Sequence, residues 1–148
     1  MKYITISDLS ETIRKNIWKI PRDIDFIIGV PRSGMIAASM IASYLNIPLI
    51  DVNSYVAGLN PSGGRRLRFF SSSHKTSNKV LVIDDTVYSG VSMNNTKSIL
   101  SNINDKRLIY MCVYLEGPGE YSVDIYLEDV RMHTNEIDKF VLYEWNIL

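Results

Sequence analysis

The stretch VLVIDDTVYSGVS, from Val80 to Ser92, decides the fold. Its first four residues, Val80 to Ile83, are apolar without alternation. That predicts a strand covered on both faces, as in a parallel sheet with helices on either side. Two adjacent carboxylates, Asp84 and Asp85, end the run and so fall at the carboxyl edge of the sheet, where open α/β folds bind ligands. If the chain turns there, both side chains can reach vicinal hydroxyls or a hydrated metal. Thr86, Ser89, Gly90 and Ser92 then form a turn rich in glycine and hydroxyl groups, opening a helix from about Val91 to Leu100. Free backbone N–H groups at such a start suit a phosphate. Two acids in this place can also simply end a strand and cap a helix.

A second segment of the same kind lies upstream. The apolar run DFIIGV, Asp25 to Val30, predicts a strand, and PRSGMIAASMIASYL, Pro31 to Leu45, continues as a turn, a Ser33 cap and a well-buried helix. Backbone amides of Arg32 to Gly34 with the Arg32 guanidinium suit a diphosphate, and a plain strand-to-helix turn is the alternative. Before it, Leu9, Ile13, Ile17 and Ile20 recur at helical spacing over Asp8 to Ile20. After it, IPLIDV, Ile47 to Val52, predicts a short strand.

Between the two clear strands the rhythm breaks. Ala57 to Asn78 contains Gly58, Pro61, Gly63, Gly64 and the run Ser71 to Ser73, and is expected to be a long loop. No acid occurs from Val52 to Ile83, whereas Arg65, Arg66, Arg68, Lys75 and Lys79 do. Three arginines beside two glycines can screen a departing anion, and a solvated basic loop is an equal reading of each arginine. His74 is expected at the surface. Downstream, RLIYMCVYL, Arg107 to Leu115, predicts a strand in which Cys112 is a buried small hydrophobe. A VDIYL strand and a terminal FVLYEW run follow.

With 148 residues, 46% hydrophobic and 22% charged, the chain has the size and mixture of one globular domain. Sixteen Lys and Arg balance sixteen Asp and Glu, so net charge gives no reason to expect a nucleic-acid or membrane partner. One cysteine excludes an intramolecular disulfide. The start MKYITISDLSETIRK is too polar for a secretory signal, and no apolar run has the length of a membrane span, so a cytoplasmic location is expected.

The segment Val80 to Ser92 resembles the phosphoribosyl pyrophosphate (PRPP) motif of type I phosphoribosyltransferases: an apolar strand, two acids, a short gap, then Ser or Thr, Gly, any residue, Ser or Thr. The resemblance extends from about Asp25 to Leu115. It implies an α/β fold in a single domain, 1–148, with a mainly parallel twisted sheet flanked by helices, a lid at about 57–78 and a small C-terminal hood at about 115–148. It further implies that Asp84 and Asp85 hold the ribose 2- and 3-hydroxyls and, largely through water, Mg²⁺. Thr86, Val87, Tyr88, Ser89 and Gly90 would wrap the 5-phosphate. Pro31, Arg32, Ser33 and Gly34 would take pyrophosphate near a strained or cis peptide expected at about Arg32 to Ser33. Arg65, Arg66 and Arg68 would act from the lid, the first two with the acids in catalysis.

The compact length is similar to that of the xanthine-guanine branch, in which LEGPG, Leu115 to Gly119, and YEW, Tyr143 to Trp145, fall where the nucleobase pocket is built. Two departures stand out. Glu116 replaces a lysine that donates to a purine oxygen, and Tyr88 replaces an acid that handles the N7 proton. Both disfavour ordinary 6-oxopurines. Glu116 can bind an amino group or cation or be a solvated turn residue; Trp145 can stack on a base or belong to the core. The implied activity is transfer of the 5-phosphoribosyl group from PRPP to a nitrogenous, nucleobase-like acceptor with release of pyrophosphate. The alternative is a non-catalytic regulator that senses PRPP or a nucleotide. Family members are commonly dimers or larger homo-oligomers.

Overall fold

Lys79 to Val87 forms the central strand of a five-stranded, all-parallel sheet. The computed structural model describes residues 2–64, 77–133 and 141–146. In chain order the strands and helices are β1 (Lys2–Ile4), α1 (Ile6–Asn16), β2 (Phe26–Gly29), α2 (Gly34–Leu45), β3 (Leu49–Asp51), α3 (Val52–Val56), β4 (Lys79–Val87), α4 (Val91–Ile99), β5 (Arg107–Leu115), β6 (Ile125–Asp129) and β7 (Val141–Tyr143). The main sheet runs β3-β2-β4-β5-β6, and β1 pairs in parallel with β7 as a separate two-stranded sheet. The expected α/β fold with a mainly parallel sheet is what the chain adopts.

Residues along β4 alternate between two cores. Leu81 and Ile83 join Ile27, Ala38, Ile41, Met111 and Val113 on one side; Val80 and Val82 join Ile28, Ile50, Val52, Met93 and Leu100 on the other. Burial on both sides is why the run shows no polar alternation. Cys112 is fully buried, as its apolar context predicts.

Local boundaries differ from expectation where side chains set them. The first helix begins at Ile6 because Thr5 and Asp8 form a reciprocal capping box, with Asp8 N–H to Thr5 Oγ1 at 3.0 Å and Thr5 N–H to Asp8 Oδ2 at 2.8 Å. It gives way to a 3-10 turn over Ile17–Lys19. The strand after α2 stops at Asp51, whose carboxylate accepts the Ser54 N–H at 3.0 Å and starts a short helix that periodicity did not reveal. The expected 57–78 loop has no helix or strand over 57–64 beyond a bridge between Leu49 and Ser62, and Ser77 and Asn78 return to the sheet through N–H bonds to the Asp25 carboxylate. Arg65, Arg66, Arg68, His74 and Lys75 lie outside the described residues. Among the described residues, no helix is long and apolar enough to cross a membrane.

Candidate functional site

Strand order makes the site. From β2 the chain steps outward to β3, and from β4 it steps the other way to β5 and β6, so the switch point lies between the carboxyl ends of β2 and β4. Gly29 ends β2, and Asp84 and Asp85 lie near the end of β4.

The two acids do not end their strand. Pairing with β5 continues through Thr86 with Tyr114 and Val87 with Leu115, because β5 stays apolar to its last residue. The ladder skips Asp85, passing from Asp84 opposite Cys112 to Thr86 opposite Tyr114, so alternation is interrupted at the acids and both carboxyls reach the turn that opens α2. Asp84 lies toward α4, where Oδ2 accepts the Ser92 hydroxyl at 3.2 Å and Oδ1 accepts the Asp85 N–H at 3.0 Å. Asp85 Oδ1 accepts the Ser33 hydroxyl at 2.9 Å and Oδ2 the Trp145 indole N–H at 2.6 Å. Both are buried, at 6% and 2% exposure. Burial first, and the Asp85 carboxylate second, push the Asp84 carboxyl well above the ordinary carboxylate range. Among the described residues no lysine or arginine forms an ion pair with either acid.

The two turns close on this edge. Gly34 opens α2 against β4 so tightly that a Cβ there would stand 2.8 Å from Asp84 Oδ1 and 3.0 Å from Asp84 Cα. Only glycine permits that approach. The expected Ser33 side-chain cap does not form; the hydroxyl serves Asp85 instead, since the turn brings it to the neighbouring strand. The cis peptide of this turn is Pro31–Arg32, one bond earlier than expected, and Arg32 is exposed. Beyond β4, Tyr88 is 62% exposed and Gly90 takes a left-handed conformation, φ 84°, at the start of α4.

The hood supplies the remaining wall. Tyr114, Tyr143 and Trp145 form an aromatic ladder with ring centroids 5.6 and 5.0 Å apart. Trp145 thus packs on the core and also reaches the site, by its N–H rather than its ring face. Glu116 is half-buried beside the Tyr143 hydroxyl, which has no hydrogen bond of regular geometry; burial pushes the Glu116 carboxyl up, and the Tyr143 hydroxyl moderates that effect. Tyr143 is expected at the nucleobase pocket as part of YEW, but its place beside Glu116 is not foreseen in the sequence. Its signal, an apolar terminal run, was that of an ordinary strand.

Residues 3–146 match the family model of the phosphoribosyl transferase domain. The chain belongs to the phosphoribosyl transferase domain family. Its sequence is 29% identical over 127 residues to the purine biosynthesis transcriptional repressor PurR of Bacillus subtilis, covering 76% of this chain and 44% of that protein. The chain spans about half the length of the curated relatives it matches. In fold it is similar to the xanthine-guanine-hypoxanthine phosphoribosyltransferase of Helicobacter pylori, with a TM-score of 0.63 at 17% identity over 99% of this chain and 93% of that one. A purine phosphoribosyltransferase from Pyrococcus horikoshii gives the same TM-score at 22% identity, over 97% and 92%.

Within this phosphoribosyl transferase domain the structure brings together Asp84, Asp85, Ser33, Gly34, Ser92 and Trp145. Glu116 joins them through Tyr143, and its backbone N–H binds the Val87 carbonyl at 2.8 Å. Arginines 65, 66 and 68 have no described position. Among the described residues no group of three or more His, Cys, Asp or Glu side chains is placed to hold a metal. The two acids offer hard oxygens, too few to enclose a cation but suited to one that keeps most of its water.

Proposed function

We propose that this domain binds PRPP at the β2–β4 switch point and transfers its 5-phosphoribosyl group to a nitrogenous, nucleobase-like acceptor, releasing pyrophosphate. One observation carries the reading: the buried pair Asp84 and Asp85 sits between two strand-to-helix turns, with Gly34 packed directly on Asp84. In this reading Asp84 and Asp85 hold the ribose 2- and 3-hydroxyls, and Thr86 to Gly90 take the 5-phosphate on backbone amides. Pro31 to Gly34, with the Arg32 guanidinium, receive pyrophosphate, and Arg65, Arg66 and Arg68 screen its charge as it leaves.

Displacement at the ribose C1 passes through an oxocarbenium-like centre, so the protein's task is orientation and a stabilised leaving group. Mg²⁺, when bound, neutralises pyrophosphate oxygens, and Asp84 and Asp85 would hold it largely through water. Tyr88, Glu116 and the Trp145 region border the acceptor. With an acceptor-type carboxylate at Glu116 and no acid at position 88, ordinary 6-oxopurines are poor acceptors in this reading.

A second reading, a domain that senses PRPP or a nucleotide without turnover, is favoured by the likeness to a transcriptional repressor twice the length of the match. Incubation with PRPP, Mg²⁺ and a panel of bases, following pyrophosphate release, separates the two. Release with at least one base, lost in Asp84→Asn/Asp85→Asn, supports transfer. PRPP binding without release for any base moves the assignment to sensing. If the double variant binds PRPP as the native protein does, both readings fail.

A further inference from the structure

The turn that follows β5 contacts the phosphate loop through three consecutive carbonyls. Val87 C=O accepts the Glu116 N–H at 2.8 Å, Tyr88 C=O accepts the Gly119 N–H at 2.7 Å, and Ser89 C=O accepts the Tyr121 phenol at 3.0 Å. In a planar trans peptide the C=O and N–H point in opposite directions. Drawing these three carbonyls toward residues 116–121 therefore turns the N–H groups of Tyr88, Ser89 and Gly90 to the other side. Among the described residues none of those three N–H groups donates a hydrogen bond to a protein acceptor. Successive N–H groups facing one way form an anion-binding concavity.

Two of the three bonds are made by backbone and are insensitive to side-chain identity. The third depends on one phenol. Tyr121 is 69% exposed, so its ring adds little to the core, yet its hydroxyl is held in place by the Asn94 side-chain amide, which donates to it at 3.3 Å from α4. The turn itself is fixed from beneath by the fully buried Ser122, whose hydroxyl donates to Gly119 C=O at 2.7 Å.

Resting on the PRPP reading above, we infer that Tyr121 is a positioning residue for the 5-phosphate: by holding the Ser89 carbonyl outward it presents the Gly90 N–H to the phosphate before ligand arrives. Such preorganisation strengthens phosphate binding without contact between Tyr121 and ligand. The pyrophosphate turn at Gly29 to Gly34 shares none of these bonds and is indifferent to it.

The test compares two anions that probe the two turns separately, ribose 5-phosphate and Mg²⁺-pyrophosphate, by calorimetry on native protein and Tyr121→Phe. Ribose 5-phosphate affinity falls about five- to tenfold, as expected for loss of one hydrogen bond, while pyrophosphate affinity and melting temperature stay put. Asn94→Ala alone gives a smaller loss in the same direction and adds nothing to Tyr121→Phe. Equal ribose 5-phosphate affinity in native protein and Tyr121→Phe overturns the inference and leaves the PRPP reading standing. So does a parallel loss of both anions with a lowered melting temperature, which marks a general structural role. If the native protein binds no ribose 5-phosphate, the PRPP reading fails and this inference with it.

Discussion

The Trp145 indole N–H donates to Asp85 Oδ2 at 2.6 Å across 60 positions of the chain. The other oxygen of the same carboxylate takes the Ser33 hydroxyl at 2.9 Å, across 52 positions. One buried acid thus joins the turn before α2, the central strand and the hood. Charged acceptors make the stronger kind of hydrogen bond, so this junction is a structural fixture as well as part of the proposed ligand site.

Removing only the indole N–H tests that junction. Trp145→Phe keeps a ring against Tyr143 and should lower unfolding free energy by about 1.5–3 kcal/mol, the range for a hydrogen bond to a charged group. Chemical denaturation measures it, and a loss below a few tenths would mean the bond adds nothing. In a Trp18→Phe background, which removes the exposed second tryptophan, saturating PRPP with Mg²⁺ should shift Trp145 emission.

The raised carboxyl of Asp84 has a direction in pH. Because burial and Asp85 raise its folded-state pKa above the ordinary 3.8, the native state keeps a proton that the unfolded chain has released. Stability of the ligand-free protein therefore falls as pH rises from about 4 through the folded pKa. Glu116, raised by burial in the same sense, adds to the slope. Asp84→Asn should melt higher than native protein near pH 8 and show the shallower decline between pH 5 and 8. Parallel melting curves for the two proteins across that interval would contradict the account.

Gly34→Ala places a methyl 2.8 Å from Asp84 Oδ1 and 3.0 Å from its Cα. The obstacle includes backbone, which cannot swing aside, so a loss of about 1–3 kcal/mol is expected, as for overpacking elsewhere. Urea unfolding gives the number. An unchanged midpoint would show that the turn relaxes freely from β4.

Cys112 is fully buried, and burial, with Asp84 and Asp85 nearby, pushes its thiol far above the ordinary value. It should resist maleimide and disulfide reagents in the native state and react only on opening. Labelling rates that track unfolding under added urea would agree; rapid labelling of native protein would not.

Sequence alone determined the elements whose signal is local. Val80 to Ile83 is apolar without alternation because both faces of β4 are covered, and that pattern is written in consecutive residues. The glycines and hydroxyls of the two turns, and the phosphoribosyltransferase motif they complete, are likewise contiguous. Tertiary structure decided what depends on pairing between distant segments. It carried β4 past its acids because β5 offered partners as far as Leu115, with the ladder skipping Asp85, and it brought both acids against the turn before α2. The Ser33 hydroxyl left its helix for Asp85, the edge of Trp145 came to the same carboxylate, and Tyr121 met the Ser89 carbonyl. Periodicity records which face of an element is buried; it holds no record of which far-off hydroxyl or N–H meets a carboxylate once the sheet has closed.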